Sequence, residues 1–298
     1  IRSSNLTSLT LHGCSPMRAL PLLSICPQLR LCDLLLHNVY EDTHMSGHTT
    51  GLPWCPPLQA HLPFLHTLTL RGDPSPALFA RSLNLPALET LYCTCPPFGF
   101  APLEITPVTL IHTYGTQLTS LRFNYSLLPP TTLDACLACL TNVRELWLSS
   151  DGPPIGMDPD LLHPSNVVGT EEEIPLQPFG WGLLKKLTEP EGPMYCPKLE
   201  VFHCRPGMWE FDDIDLLAFL ASRLLPRSTN QDQGMVNLKR VVVEFKSSKN
   251  IDVREELRKL GVDTDTLQLN ITYRTGESSV LTYDEFPVLA DFNSYHYF

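Results

Sequence analysis

No lysine precedes Lys185, and charged residues of all kinds make up only 18% of the 298-residue chain. With 43% hydrophobic residues over this length, the chain can bury a large core, as a folded globular protein does. Basic stripes interleaved with aromatics are absent, and the 21 Lys+Arg stand against 32 Asp+Glu for a net charge of −11. The imbalance sits in the second half: residues 1–150 hold 7 Lys+Arg against 8 Asp+Glu, residues 151–298 hold 14 against 24. Such an acidic balance disfavours a nucleic-acid backbone or an anionic membrane as partner. Long hydrophobic runs are missing too, since no stretch approaches the ~18 apolar residues of a membrane helix. No charged-then-apolar leader follows Ile1.

Reaction-centre motifs are equally scarce. There is no G-x-x-x-x-G-K-S/T phosphate loop, no G-x-G-x-x-G turn, no H-E-x-x-H zinc helix and no G-x-S-x-G elbow. His44 and His48 stand at helical spacing for a metal, but Gly47 between them marks a loop-like segment. Cys93 and Cys95 would point to opposite faces of a strand, which makes a poor metal clip. Asp212, Asp213 and Asp215 suit the capping of a helix N-terminus better than a cation site. No catalytic residue, metal or cofactor is expected, and the chain is read as a non-enzyme.

What the chain has in abundance is an apolar triplet spaced L-x-x-L-x-L. It reads Leu6/Leu9/Leu11, Leu29/Cys32/Leu34, Leu65/Leu68/Leu70 and Leu88/Leu91/Cys93 in the first hundred residues. It returns as Leu118/Leu121/Phe123, Val143/Leu146/Leu148, Leu199/Phe202/Cys204 and Leu238/Val241/Val243. The last two members alternate with polar residues, as in a short strand with one buried face. This spacing is the strand segment of a leucine-rich repeat. It predicts an α/β fold, an irregular leucine-rich-repeat solenoid. Short parallel strands would line its concave face, with helices and loops on the convex face. Starts at 6, 29, 65, 88, 118, 143, 199 and 238 are unevenly spaced, so several repeats carry insertions. Residues 1–275 read as the solenoid, with loop excursions at about 40–62 and 151–180, and residues 276–298 as a C-terminal tail. Because the first triplet opens at Leu6, a longer chain with a segment before Ile1 is expected.

Between the strands lie helix patterns. Residues 130–140 follow a proline pair, with Thr131 as N-cap and Leu133, Leu137 and Leu140 on one face. Residues 213–223 begin with acid and end with Arg223, both suited to the helix dipole. Asp252 and Glu255 open a last helix, in which Glu255 and Lys259 pair one turn apart. Shorter helices are expected at 16–25, 75–84 and 107–114, stopped early by the 28 prolines.

The ten cysteines do not read as a disulfide framework. Cys32, Cys93 and Cys204 take core positions of strands, and Cys136 and Cys139 the apolar side of a helix. Cys26, Cys55 and Cys196 each precede a proline at a turn. With no leader, a reduced intracellular setting, cytoplasm or nucleus, is expected. The N-x-S/T matches at Asn5, Asn124 and Asn270 lie in or beside strands and are not read as glycosylation sites.

The position between the second and third apolar residues of each triplet faces away from the core. It holds Thr10, Asp33, Thr69, Tyr92, Arg122, Trp147, His203 and Val242. One pleat step on are His12, Arg71, Asn124, Ser149, Arg205 and Glu244. At ~4.8 Å per strand, eight positions make a ladder of roughly 35 Å. Tyr92, Arg122, Asn124, Trp147, His203 and Arg205 are the candidate partner-binding residues, being rich in the types that dominate interfaces. A rim loop covering Tyr92 and Trp147 is the competing expectation.

Three segments carry a family resemblance. They are Leu183-Leu-Lys-Lys-Leu-Thr with Cys196-Pro-Lys-Leu-Glu-Val-Phe202, then Asp215-Leu-Leu-Ala-Phe-Leu-Ala-Ser-Arg223, then Leu238-Lys-Arg-Val-Val-Val-Glu-Phe245. With a closing helix at 252–260 and strand at 267–273, this order resembles the C-terminal part of F-box proteins of mushroom-forming fungi. The resemblance spans roughly residues 180–275 and implies a target-binding module of a cullin–RING ubiquitin ligase of the SCF type. It implies a protein target of unstated identity, with the Skp adaptor and cullin reached only through an upstream F-box that has no counterpart in this sequence. The alternative is a stand-alone leucine-rich-repeat scaffold. A secreted repeat receptor or an enzyme on a related sheet is the remaining class. No nucleic acid and no membrane are expected as partners.

Overall fold

The computed structural model describes residues 5–36, 59–72, 77–94, 106–125, 128, 130–150, 183–188, 195–206, 211–225 and 236–274. In chain order these form β1 (Ser8–Cys14), α1 (Pro16–Ser24), β2 (Leu31–Leu36), β3 (Ala60–His61), β4 (Thr67–Gly72) and α2 (Ala77–Arg81). Next come β5 (Leu83–Asn84), β6 (Thr90–Thr94), α3 (Thr106–Tyr114), β7 (Ser120–Asn124), α4 (Pro130–Cys139) and β8 (Glu145–Ser149). The remainder are α5 (Leu183–Thr188), β9 (Val201–Arg205), α6 (Asp213–Leu224), β10 (Arg240–Phe245), α7 (Val253–Lys259) and β11 (Gln268–Tyr273). The fold is α/β. Nine strands make one all-parallel sheet in the order β1-β2-β4-β6-β7-β8-β9-β10-β11, and β3 pairs with β5 in a separate two-stranded sheet. Apart from the β3–β5 pair, each strand therefore adds directly beside the strand before it.

Two local devices repeat. Cys26-Pro27-Gln28-Leu29 closes as a turn through Leu29 N–H donating to the Cys26 carbonyl at 3.2 Å. The same bond, also 3.2 Å, joins Leu65 to Leu62, Leu88 to Leu85 and Leu199 to Cys196, each across a proline. Proline presets the second turn position, which is why the motif stands just before the strands. At the seven junctions from β1 to β10 of the nine-stranded sheet, one carbonyl then accepts two successive amides at the start of the next strand. Thr7 takes Arg30 and Leu31 (2.8 and 3.1 Å), Arg30 takes His66 and Thr67 (3.0 and 3.1 Å), and Glu200 takes Lys239 and Arg240 (2.8 and 3.1 Å). The strands of the nine-stranded sheet up to β10 are thus each started at the same height as the strand before.

The buried face of the sheet is the apolar triplet. All members of the seven triplets from Leu29 onward are buried, while Leu6 is 38% exposed and Leu9 and Leu11 are half-buried. The first triplet differs because β1 is an edge strand with a neighbour on one side only. The helices line the same face: Leu20 and Leu23, Leu110 and Ile111, Leu133 and Leu137, Leu216 and Leu220 join one core with the strands. Gly115 sits where α3 meets α4, and a Cβ there would come within 2.8 Å of Cys139 Cβ.

Side chains bind the layers together. Tyr114 Oη accepts from Leu85 N–H (3.1 Å) and donates to the Leu83 carbonyl (2.7 Å), while Gln117 Nε2 donates to Leu85 and Leu88 carbonyls (3.0 Å each). Asp212 caps α6 by accepting from Ile214 and Asp215 N–H, and the Asp215 carboxylate accepts from Asp212 N–H, a closed capping box.

Several expectations are corrected. Asp213 does not cap its own helix. Buried, it accepts from Asn250 N–H (2.7 Å), Ile251 N–H (3.0 Å), Asn250 Nδ2 (3.1 Å) and Tyr273 Oη (3.3 Å). Burial pushes its carboxyl up, but these donors outweigh that and hold it below the ordinary value. Arg223 stands in the last turn of α6, as expected, but its guanidinium also has a buried role. It is 2% exposed and donates to the carbonyls of Tyr195 (2.7 Å) and Cys196 (3.1 Å), fixing a turn in which Cys196 has φ 49°. Thr131 lies inside α4, which starts at Pro130. In α7, Lys259 pairs with Glu256 (2.8 Å) and Glu255 with Arg258 (3.9 Å), because the three-residue spacing brings the tips together there. The helix expected at 75–84 is only Ala77–Arg81, since residues 83–84 turn into β5. The excursion at 40–62 ends in β3, and its residues 40–58 lie outside the described residues, as do 151–180 and the 276–298 tail. Among the described residues, no helix is long and apolar enough to cross a membrane.

Candidate functional site

Parallel pairing brings the outward middle positions into one row. Thr10, Asp33, Thr69, Tyr92, Arg122, Trp147, His203 and Val242 follow one another in direct register across the sheet, and β11 adds Asn270. The strand spacing of ~4.8 Å is short enough for planar side chains in such a row to stack. Trp147 and His203 do so, with ring centroids 3.5 Å apart and planes at 6°. On β7 the Arg122 guanidinium lies 5.4 Å from the Trp147 ring centroid, a cation–π contact. Arg122, Trp147 and His203 are therefore one continuous stack, with Tyr92 directly beside Arg122.

His203 departs from the expectation for an outward position, being only 8% exposed. Trp147 covers one side of its ring. Burial first, then the charges of Arg240 and Arg122, push its imidazole down to about 4, so it is neutral near pH 7. Its Nε2 is buried without a hydrogen-bond partner.

The next row along the strands is ionic. Arg205 Nε and Nη2 meet Glu244 at 2.9 and 3.0 Å, and Arg274 reaches the same carboxylate at 3.2 Å. Asn124 pairs with Ser149 in this row, while Arg71 holds Asp33 through two bonds farther along the sheet. Between the two rows lies a shallow hollow, open to solvent. Arg122, Trp147, His203, Arg205, Val242 and Glu244 present its surface. Of the six candidate residues, four therefore border one hollow: Arg122, Trp147, His203 and Arg205. Tyr92 and Asn124 stand on neighbouring strand positions outside its lining.

Two features escaped sequence reading. Arg240 stands one pleat step before Val242 and acts on His203, and counting strand positions would have found it. The second is a rim of alternating charge on the residues that follow the first triplet position. His66 meets Glu89 (3.8 Å), and Glu200 meets both Arg144 (3.5 Å) and Lys239 (2.6 Å). That rim follows from the triplet register and is surface electrostatics of small energetic weight.

Cys139 Sγ lies 3.6 Å from His112 Nδ1, yet burial raises the thiol, the opposite of an activated thiolate. Among the described residues, no group of three or more His, Cys, Asp or Glu side chains is placed to hold a metal ion. His44 and His48 lie outside the described residues, as do Cys55 and Cys95; the eight described cysteines are free thiols. No family model matches the chain, and neither does any curated protein or any solved structure.

Proposed function

We propose that this chain is a protein-binding module, the strand side of an irregular leucine-rich-repeat solenoid, and that its target docks on the outward sheet face. One observation carries the reading: Tyr92, Arg122, Trp147 and His203 stand in direct register on four adjacent strands. That row concentrates the aromatic and arginine types from which interface hot spots are built. The strand order, each new strand beside the last, supports the repeat architecture. Free thiols at all eight described cysteines fit a reducing compartment inside the cell. The resemblance of residues 180–275 to fungal F-box proteins extends the proposal. The module would hold a target for ubiquitin transfer, with Skp and cullin engaged by an F-box joined upstream.

A random dodecapeptide library selected on the purified chain tests the binding reading. Recovered peptides are expected to bind Trp147→Ala/Arg122→Ala at least about tenfold more weakly than the parent chain, as loss of central hot-spot residues requires. A change within about threefold would remove this face as the site. Reading the transcript upstream of Ile1 tests the ligase half, which needs an F-box in the same frame.

A further inference from the structure

His203 carries a hydrogen-bonding atom that the described fold does not use. The residue is 8% exposed, and among the described residues its buried Nε2 has no hydrogen-bond partner. Buried polar atoms are nearly always satisfied, because an unbonded one loses its water and gains nothing in return. The ring that carries this atom lines the hollow together with Trp147 and Val242. Charged groups around the hollow are already engaged. Glu244 holds Arg205 at 2.9 Å and Arg274 at 3.2 Å, and the Arg122 guanidinium lies 5.4 Å from the Trp147 ring centroid. A carboxylate entering the hollow would meet Glu244, and an ammonium would meet Arg205, so neither sign finds a ready partner. What the hollow keeps unspent is one imidazole nitrogen beside two apolar side chains.

Resting on the binding reading above, we propose that this hollow receives a neutral polar side chain of the bound protein, a hydroxyl or a carboxamide, which hydrogen-bonds to His203 Nε2. Both groups donate and accept, so either tautomer of the imidazole finds a match. A half-turn of the ring about χ2 exchanges the positions of Nε2 and Cε1 and keeps the plane against Trp147, so the stack survives while Nε2 turns to the incoming group. Trp147 and Val242 cover the carbon stem of the same side chain. His203 is then the residue that sets specificity. An apolar side chain of equal shape leaves Nε2 unmet, and a charged one is placed against Glu244 or Arg205.

The selected dodecapeptides decide the matter. They are expected to share one Ser, Thr, Tyr, Asn or Gln at a fixed position. Replacing it by an apolar residue of like shape (Thr by Val, Tyr by Phe, Gln by Met) weakens binding about tenfold, the worth of one desolvated hydrogen bond. His203→Phe weakens it equally, and the two changes together hardly more than either, the mark of a direct pair. Phe keeps a flat ring against Trp147, so a merely structural role of His203 predicts unchanged affinity. A second measurement needs no variant protein: the nitrogen-15 resonance of His203 Nε2 shifts when the parent peptide is added and stays in place with its apolar counterpart. Peptides that need Trp147 and Arg122 but bind His203→Phe as tightly as the parent, or that share an acid or a base in place of the neutral residue, overturn this inference and leave the binding reading intact. Peptides indifferent to Trp147→Ala/Arg122→Ala, or a selection that recovers no binder, overturn both.

Discussion

His203 is held neutral by its surroundings, and that has a consequence for stability. In the unfolded chain the imidazole titrates near 6.5, in the folded chain at about 4. As pH falls, the unfolded state takes up the proton first. The contribution of His203 is therefore complete above 6.5, erodes below it and is gone once the folded group titrates. His203→Phe should flatten the stability profile between pH 6.5 and 4 in urea titrations. At pH 7 the variant should match the parent or exceed it by up to about 1 kcal/mol, because the shape is kept and the orphan Nε2 is gone. A loss of about 2 kcal/mol would show that Nε2 has a structural role. Two glycines make a second contrast. Gly72 has φ 90° and its added Cβ would lie 2.0 Å from the Leu36 carbonyl oxygen, whereas Gly261, at φ 83°, has open space around it. Gly72→Ala should cost clearly more than the ~1–2 kcal/mol of left-handed strain expected for Gly261→Ala, and thermal denaturation of the two variants would rank them. None of this was legible in the sequence: burial of His203 depends on a tryptophan 56 positions earlier, and Gly72 on a carbonyl 36 positions earlier.

The strands were legible because their alternation is local. Leu68 and Leu70, or Leu146 and Leu148, announce the buried face with no knowledge of neighbours, and counting from them places Arg122 and Trp147 in one row. Helices with a clear apolar stripe, such as α6, were equally readable. Two-residue strands such as β3 and β5 are too short to show a period, and α5 offered only Leu183, Leu184 and Leu187 for its stripe. What escaped were side chains whose partners come from other elements. Arg223 looked like a helix-end charge, yet its guanidinium satisfies the carbonyls of a turn 27 and 28 residues away. Arg223→Met should therefore cost about 2–4 kcal/mol by leaving those carbonyls buried and unmet, far more than loss of a surface charge. Guanidinium denaturation of Arg223→Met beside Arg258→Met, whose side chain is half-exposed, checks the difference.

At the scale of the whole molecule, a sheet ordered along the chain has no long-range closure, since each strand meets only its immediate neighbours. On the proposed repeat reading, stability is a sum of neighbour contacts, lowest at the two ends. Amide exchange should be slowest in β6, β7 and β8 and fastest in β1 and β11, neither of which holds a fully buried residue. Uniform protection across the nine strands would contradict that repeat reading. The same ordering bears on how the protein is made. In the nine-stranded sheet, one hydrogen-bonding neighbour of every strand after β1 has already been synthesised when that strand leaves the ribosome. For the strands up to β10, the carbonyl that receives their first two amides is waiting on that neighbour. Folding can thus keep pace with translation, each newly emerged strand seated on a finished template, with no need to hold distant segments apart until the chain is complete.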